Sequence, residues 1–281
     1  MKKLLLIALT TTLATSSLAQ STATTLSGSL ESESTSAVKN WNVSVSSTTS
    51  ASVVEADSYD NYVNSSLSAR LSYKLNDRLT AQSSVAAAKE MKGARKQYFS
   101  SAYLGLSGLI KSFNSDISLS GLTRVYLPVN ANSRRDTTFN GRVMAGLSGS
   151  FNLAKLGLKY VSLTLSSTGA KNFHEFKRTR TNSPNTNYYV TNTAALGYAP
   201  FKKVSFSFYF SNTSRWDYEN KTKGDTFSMG QSVYWALEQG FSISAGHDLG
   251  GLTYGYTGDS LDVALFDKNK SSVYTSVSYV Y

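Results

Sequence analysis

Arg124 and Arg142 are the residues of this sequence whose type and spacing speak most directly of chemistry. Each lies nine positions from Ser133, on segments where apolar and polar residues alternate. Leu119, Val125 and Leu127 define one face of the first segment, and Phe139, Val143 and Leu147 one face of the second; both arginines fall on the opposite faces. A symmetric hairpin about Ser133 sets them side by side, with Cβ atoms roughly 5 Å apart, a distance at which like charges repel. Two guanidinium groups on one polar surface attract anions, and Tyr126 beside them offers a ring for stacking. Arg70 and Lys74 share the polar face of an earlier segment, and Lys159 joins them if its irregular segment keeps phase. Asp248 and Glu238 are the acids placed to neutralise this surplus of base.

Other chemistry finds less support. His174 lies in a long connection from about Lys171 to Asn187 and reads as a solvated loop residue. His247 falls on the apolar face of its segment, where a ring would lack water, so it requires either the water boundary or a bulge that turns it inward. Asp259, Asp262 and Asp267 are close together, but their separations do not match a calcium loop. The chain has no cysteine, so disulfides and thiolate metal sites are excluded. No motif demands a cofactor. Two loops are basic, around Lys89 to Lys96 and Lys171 to Arg180, and one around Glu55 to Asp60 is acidic; the basic pair suits solvent or lipid phosphates equally.

The elements that must carry these residues alternate with a period of two, the mark of strands with one apolar face. The cleanest example sets Val63, Leu67, Ala69, Leu71, Tyr73 and Leu75 against Asn64, Ser66, Ser68, Arg70, Ser72 and Lys74. An Asn76-Asp77 turn then leads to Leu79, Ala81 and Val85 on the next apolar face, a hairpin signal. With the run from Trp41 and the last from Ser271, further runs bring the number to twelve: Tyr98 to Leu109, Ile117 to Leu127, Phe139 to Phe151, Leu156 to Ser166, Tyr188 to Tyr198, Val204 to Trp216, Phe227 to Leu237 and Phe241 to Leu249. Connections near Asn76, Ser112, Ala154, Phe201 and Gln239 are short. Those near Ala56, Lys92, Ser133, Thr179, Lys221 and Ser260 are mostly longer and more charged. Strands of about ten residues suit a membrane better than a soluble sandwich, whose outward face would be charged. In hydrocarbon every backbone group needs a partner, so such strands must close into a barrel. Trp216 and Tyr218 at one end, and Tyr73, Phe151, Tyr198, Trp235, Phe241, Tyr279 and Tyr281 at the other, form two aromatic girdles at the water boundaries.

The N-terminus predicts export. Lys2 and Lys3 precede an apolar run from Leu4 to about Leu13, and Ser17-Leu18-Ala19 supplies the small residues of a cleavage site. Residues 1–19 read as a signal peptide, 20–36 as a Ser/Thr-rich periplasmic tail or partial plug, and 37–281 as the barrel. Removing Lys2 and Lys3 leaves 26 basic against 18 acidic residues, a net +8. Nucleic acid, which such a surplus would otherwise suggest, is rarely met by an exported chain.

The final eleven residues carry a family likeness. Val273, Val277, Tyr279 and Tyr281 occupy alternate positions, interrupted by Thr275, and end the chain on an aromatic. This resembles the terminal signal of bacterial outer-membrane β-barrels. The resemblance implies a last strand that the barrel-assembly machinery reads and that closes against the first, with periplasmic chaperones and outer-membrane lipids as further partners. Some twelve-stranded outer-membrane barrels are phospholipases with the catalytic Ser two positions after the His; here Leu249 follows His247 and Phe176 follows His174, so the likeness fails at the nucleophile. Others pass acidic sugars through arginine-lined lumens, which this chain resembles in sign alone. The expectation is a twelve-stranded antiparallel barrel with both termini periplasmic, not an enzyme. It passes small hydrophilic solutes passively with a weak anion preference along Arg70, Lys74, Arg124, Arg142 and Tyr126. A structural or adhesive barrel with a blocked lumen is the first alternative, and an outer-membrane hydrolase the second.

Overall fold

The computed structural model describes residues 40–54, 61–92, 96–254, 263 and 266–281. The segments expected to be a signal peptide (1–19) and an N-terminal tail (20–36), with Glu55 to Asp60, Asp259 and Asp262, lie outside the described residues. Twelve strands follow in order: β1 (Trp41–Ser52), β2 (Val63–Asn76), β3 (Leu79–Glu90), β4 (Gln97–Ser112), β5 (Ile117–Leu127), β6 (Phe139–Asn152), β7 (Val161–His174), β8 (Thr186–Tyr198), β9 (Val204–Asp217), β10 (Thr226–Ala236), β11 (Phe241–Leu252) and β12 (Ser271–Val280). Each pairs antiparallel with its neighbours, and β12 pairs with β1 from Ser44↔Val280 to Ser52↔Ser272, so the sheet is a closed barrel. A helix, α1 (Ala131–Thr137), interrupts the β5–β6 connection, capped by the Asn130 side chain on the amides of Asn132 and Ser133.

Closure follows from the alternation. Outward side chains are apolar and open to the surroundings: Leu71 is 47% exposed, Leu104 57%, Leu147 54% and Val277 48%. A wall of that character has hydrocarbon as its natural medium, and closure leaves no unpaired strand edge in it. The inner face is held by hydroxyls that pair directly across strands, as in Ser46 with Ser68 at 2.7 Å, Thr193 with Ser211 at 2.6 Å and Ser207 with Ser232 at 2.7 Å. Small polar residues on this face therefore both leave space and satisfy one another.

Three expectations are corrected. The strand expected from Leu156 begins at Val161 and runs on to His174. Asn152 Oδ1 accepts the Ala154 amide at 3.0 Å and starts a 3-10 turn over Ala154–Leu156, which puts Lys159 in an exposed turn rather than in phase with the wall. His174 consequently ends a strand instead of sitting in a loop. Third, Phe139 pairs with His174 and Gly141 with Phe173, so Asn140 is a bulge. One extra residue reverses the phase; Phe139 joins the inner face of Arg142, while Val143 and Leu147 stay outward.

His247 is not turned inward. Pairing through β11 is unbroken, so no bulge turns it inward; Phe266 of the β11–β12 connection instead stacks over its ring at 5.9 Å between centroids.

Alternation of short and long connections holds in outline, although residues 153–160 are as long as 218–225. Both ends of the described chain emerge at the short-turn rim. There Gly240 turns β10 into β11 at φ +79°, and a Cβ on it would stand 2.3 Å from the Val280 carbonyl oxygen. Gly240→Val meets both the left-handed backbone and that clash, so we expect it to destabilise the barrel by roughly 2–3 kcal/mol. Loss of heat-modifiable migration at lower denaturant concentration than for the unaltered protein would register it.

Candidate lumen site

The strand register assembles the inner wall. Arg70 lies across from Ser84, Ser84 from Tyr103, Tyr103 from Tyr126, Tyr126 from Arg142 and Arg142 from Asn172, a continuous inward row over β2 to β7. A second row joins Arg124, Met144, Ala170, Tyr189 and Arg215. Both arginines thus face inward as expected, but they are not opposed. Val125 pairs with Val143, so the hairpin pivots at Arg134 and not Ser133; Arg124 faces Met144, and Arg142 faces Tyr126. The offset of two residues removes the expected direct repulsion.

Aromatic rings hold the guanidinium groups instead. Arg124 lies over Tyr103 at 4.7 Å from the ring centroid, crossing Gly105, its direct cross-strand partner; a Cβ at Gly105 would stand 2.8 Å from the Arg124 Cγ. Arg142 has Tyr189 at 5.1 Å, Tyr126 at 5.4 Å and Phe139 at 5.7 Å. Its Nε donates to Asn172 Oδ1 at 2.7 Å, and the buried Asn172 is itself fixed by donating from Nδ2 to the Thr186 carbonyl at 2.9 Å. Tyr103 and Tyr126 contact each other at 5.3 Å between centroids. Aromatic faces attract cations, so the arrangement holds both guanidinium groups in place on the inner wall. Tyr126 carries Arg142 over its ring and packs on Tyr103, which carries Arg124.

The remaining basic candidates divide. Arg70 faces the lumen within the first row. Lys74 stands at the short-turn rim, 47% exposed and paired with Asp77 at 2.9 Å, away from the arginine cluster. Neither expected acid pairs with Arg124 or Arg142. Glu238 sits in the β10–β11 turn against Lys203 at 3.3 Å. Asp248 faces inward on β11, six strands from β5 in a ring of twelve and hence on the opposite wall, where the Tyr209 hydroxyl donates to it at 2.9 Å.

Tyr103, Tyr189, Phe139, Asn172 and Arg215 are additions to the site. Arg215 was within reach of the phase rule, since Val204, Phe206, Phe208 and Phe210 fix the outward face of β9; its guanidinium donates to Thr226 Oγ1 at 2.6 Å. At the long-connection rim, α1 and residues 175–185 are tied together: Asn185 donates to the Thr137 carbonyl at 2.9 Å, and the Arg180 amide to the Asp136 carbonyl at 3.1 Å. A hydrogen bond from Arg135 holds the Asp136 carboxyl below the usual carboxylate range.

The terminal residues form the seam. Val273 and Val277 face outward, Tyr279 packs on Phe241 at 4.7 Å and Tyr281 on Trp41 at 5.8 Å. At the far end of the wall Tyr188 stacks on Trp216 at 5.0 Å, supplying the second girdle; Tyr218 turns its hydroxyl back onto the Asn172 carbonyl at 3.1 Å.

Among solved structures, an outer membrane channel from Pseudomonas putida F1 superposes with a TM-score of 0.60 at 10% identity, covering 89% of this chain and 100% of that one. The NanC porin superposes at 0.55 with 8% identity, over 84% and 98% of the two chains. This chain has the fold of outer-membrane porins. With the apolar outer belt, that fold belongs to the outer membrane. The KdgM porin, solved in complex with disordered oligogalacturonate, superposes at 0.50 with 11% identity over 84% and 98%. No family model and no curated protein matches the sequence.

Proposed function

We propose that the protein is an outer-membrane channel for passive diffusion of small hydrophilic solutes, weakly anion-preferring, with Arg124 and Arg142 as the residues that set the preference. The observation carrying this reading is the pair of ring-backed guanidinium groups on the inner wall, neither paired with a carboxylate among the described residues. Twelve strands enclose a lumen between the side-chain-filled eight-stranded barrel and the wide sixteen-stranded pore. The short-turn rim is periplasmic in this reading, and periplasmic chaperones and the barrel-assembly machinery deliver the chain. Refolded protein in a planar bilayer should give discrete conductance steps with a reversal potential of anion-selective sign. Bilayers that stay silent would count against a channel.

A structural barrel with a blocked lumen draws on one specific observation, the hydrogen bonds between α1 and residues 175–185 at the long-connection rim. Silence in the bilayer together with normal surface abundance would favour it. We propose no enzymatic role: His174 meets the Tyr218 hydroxyl at 3.0 Å, and no serine follows either histidine by two positions. Release of fatty acid from phospholipid by purified protein would reverse that reading.

A further inference from the structure

The outer wall across β6 to β9 departs from the apolar belt at mid-height. Asn192 has six residues of β8 on either side and faces outward, in the same phase as Tyr188 and Tyr198, whose rings stack at opposite ends of the wall. Its amide has no hydrogen-bond partner among the described residues. The cross-strand neighbour Asn212 differs, because its Nδ2 donates to Thr253 Oγ1 at 3.1 Å. Beside Asn192 lies an open hollow of about 480 Å³, lined by the small residues Gly149, Ser167 and Ala194 and the larger Leu147, Leu165 and Phe210. Two register rows produce it: Gly149, Leu165, Ala194 and Phe210 alternate small and large, and Leu147, Ser167, Asn192 and Asn212 run beside them.

An unsatisfied amide halfway between two girdles faces hydrocarbon, which neither donates nor accepts hydrogen bonds. Acyl chains could fill the hollow but could not satisfy the amide. A carboxamide carries both donor and acceptor, so its own copy across a two-fold axis completes it, as an isologous interface requires. The larger lining residues also supply the knobs that the opposing hollow would receive. Four strands at about 4.8 Å spacing, over a band about 25 Å tall, give each copy a wall that with its corrugation reaches the order of 1,000 Å² in total that a specific interface needs. We propose that the β6–β9 wall is a homodimer interface in the membrane, centred on paired Asn192 amides.

The chain has no cysteine, so a single introduced one reads the contact directly. Full-length Asn192→Cys protein, oxidised in outer-membrane vesicles, should migrate as a disulfide dimer, whereas Leu71→Cys on β2, six strands away on the opposite wall, should stay monomeric. Native mass spectrometry should find the unaltered protein dimeric, Asn192→Gln still dimeric, and the dimer fraction of Asn192→Leu reduced about tenfold or more at equal protein concentration, the loss expected when about 1.4 kcal/mol of association is removed. Leucine suits the lipid face, and heat-modifiable migration checks that this variant folds; should it not, the cysteine pair still decides. Equal cross-linking at both positions or at neither, a monomeric unaltered protein with or without bound lipid, or a dimer indifferent to Asn192→Leu would each overturn the proposal.

Discussion

Replacing Arg124 and Arg142 together with glutamate is expected to abolish or reverse the sign of the channel's reversal potential across a salt gradient. The exchange turns two positive charges into two negative ones on adjoining strands of a single wall. The rings of Tyr103, Tyr126 and Tyr189 that fix the guanidinium groups repel carboxylates from their faces, so the new charges should stand further into the water. Screening sets the size of the effect. The Debye length is about 30 Å at 0.01 M salt and about 3 Å at 1 M, so the reversal should be complete at low salt and nearly lost at molar salt. Asp248, on the opposite wall against Tyr209, opposes the arginines at longer range, and Asp248→Asn should move the potential a little further toward anions. An unchanged potential in the double variant, or a cation-selective unaltered channel, would remove Arg124 and Arg142 from permeation. Because both positions face the lumen, heat-modifiable migration should survive, and its loss would show instead that the guanidinium–ring contacts hold the wall together.

What the sequence disclosed depends on how local each feature is. A two-residue period needs only neighbours along the chain, and all twelve strands were legible from it, Ile117–Leu127 to the residue. A bulge is invisible to the same reasoning. Phe139 and Val143 share a parity and look like one face until the extra residue at Asn140 separates them. Register across a loop is a property of the loop, and α1 shifted the pivot from Ser133 to Arg134, parting two arginines that simple symmetry had opposed. Leu156 misled because an apolar residue in phase with Val161 is indistinguishable from strand until the Asn152 side chain is seen to start a turn. The facing of Arg124, Arg142 and Tyr126 was thus readable, but the partners Tyr103, Tyr189 and Asn172 come from neighbouring strands and one strand beyond, and no pattern within a single strand points to them.

Deleting Tyr279 to Tyr281 should all but eliminate the protein from the outer membrane while leaving export intact. These three residues form the short-turn end of the seam that closes the barrel. Tyr279 pairs with Val45 and Val280 with Ser44. The Tyr281 N–H donates to the Val43 carbonyl at 2.9 Å, the Tyr281 carbonyl accepts from the Val43 N–H at 3.3 Å, and the Val280 N–H donates to the Gly240 carbonyl at 3.0 Å. Their removal strips partners from the first residues of β1 and from the β10–β11 turn, and takes two rings from the girdle that Trp41 and Phe241 complete. Backbone groups left open near hydrocarbon cost several kcal/mol each, so accumulation should fall roughly tenfold or more, the change that only about 1.4 kcal/mol produces. The likeness to outer-membrane terminal signals predicts a further loss in cells, through recognition rather than closure. Tyr281→Ala separates the two, because it keeps the backbone bonds and removes only the ring. That variant should refold in detergent nearly as well as the unaltered protein, yet accumulate poorly when assembled in cells, and Tyr281→Phe should restore accumulation. Equal losses in detergent and in cells would assign Tyr281 to the seam alone, and normal surface levels of the truncated chain would remove the terminal strand from assembly altogether.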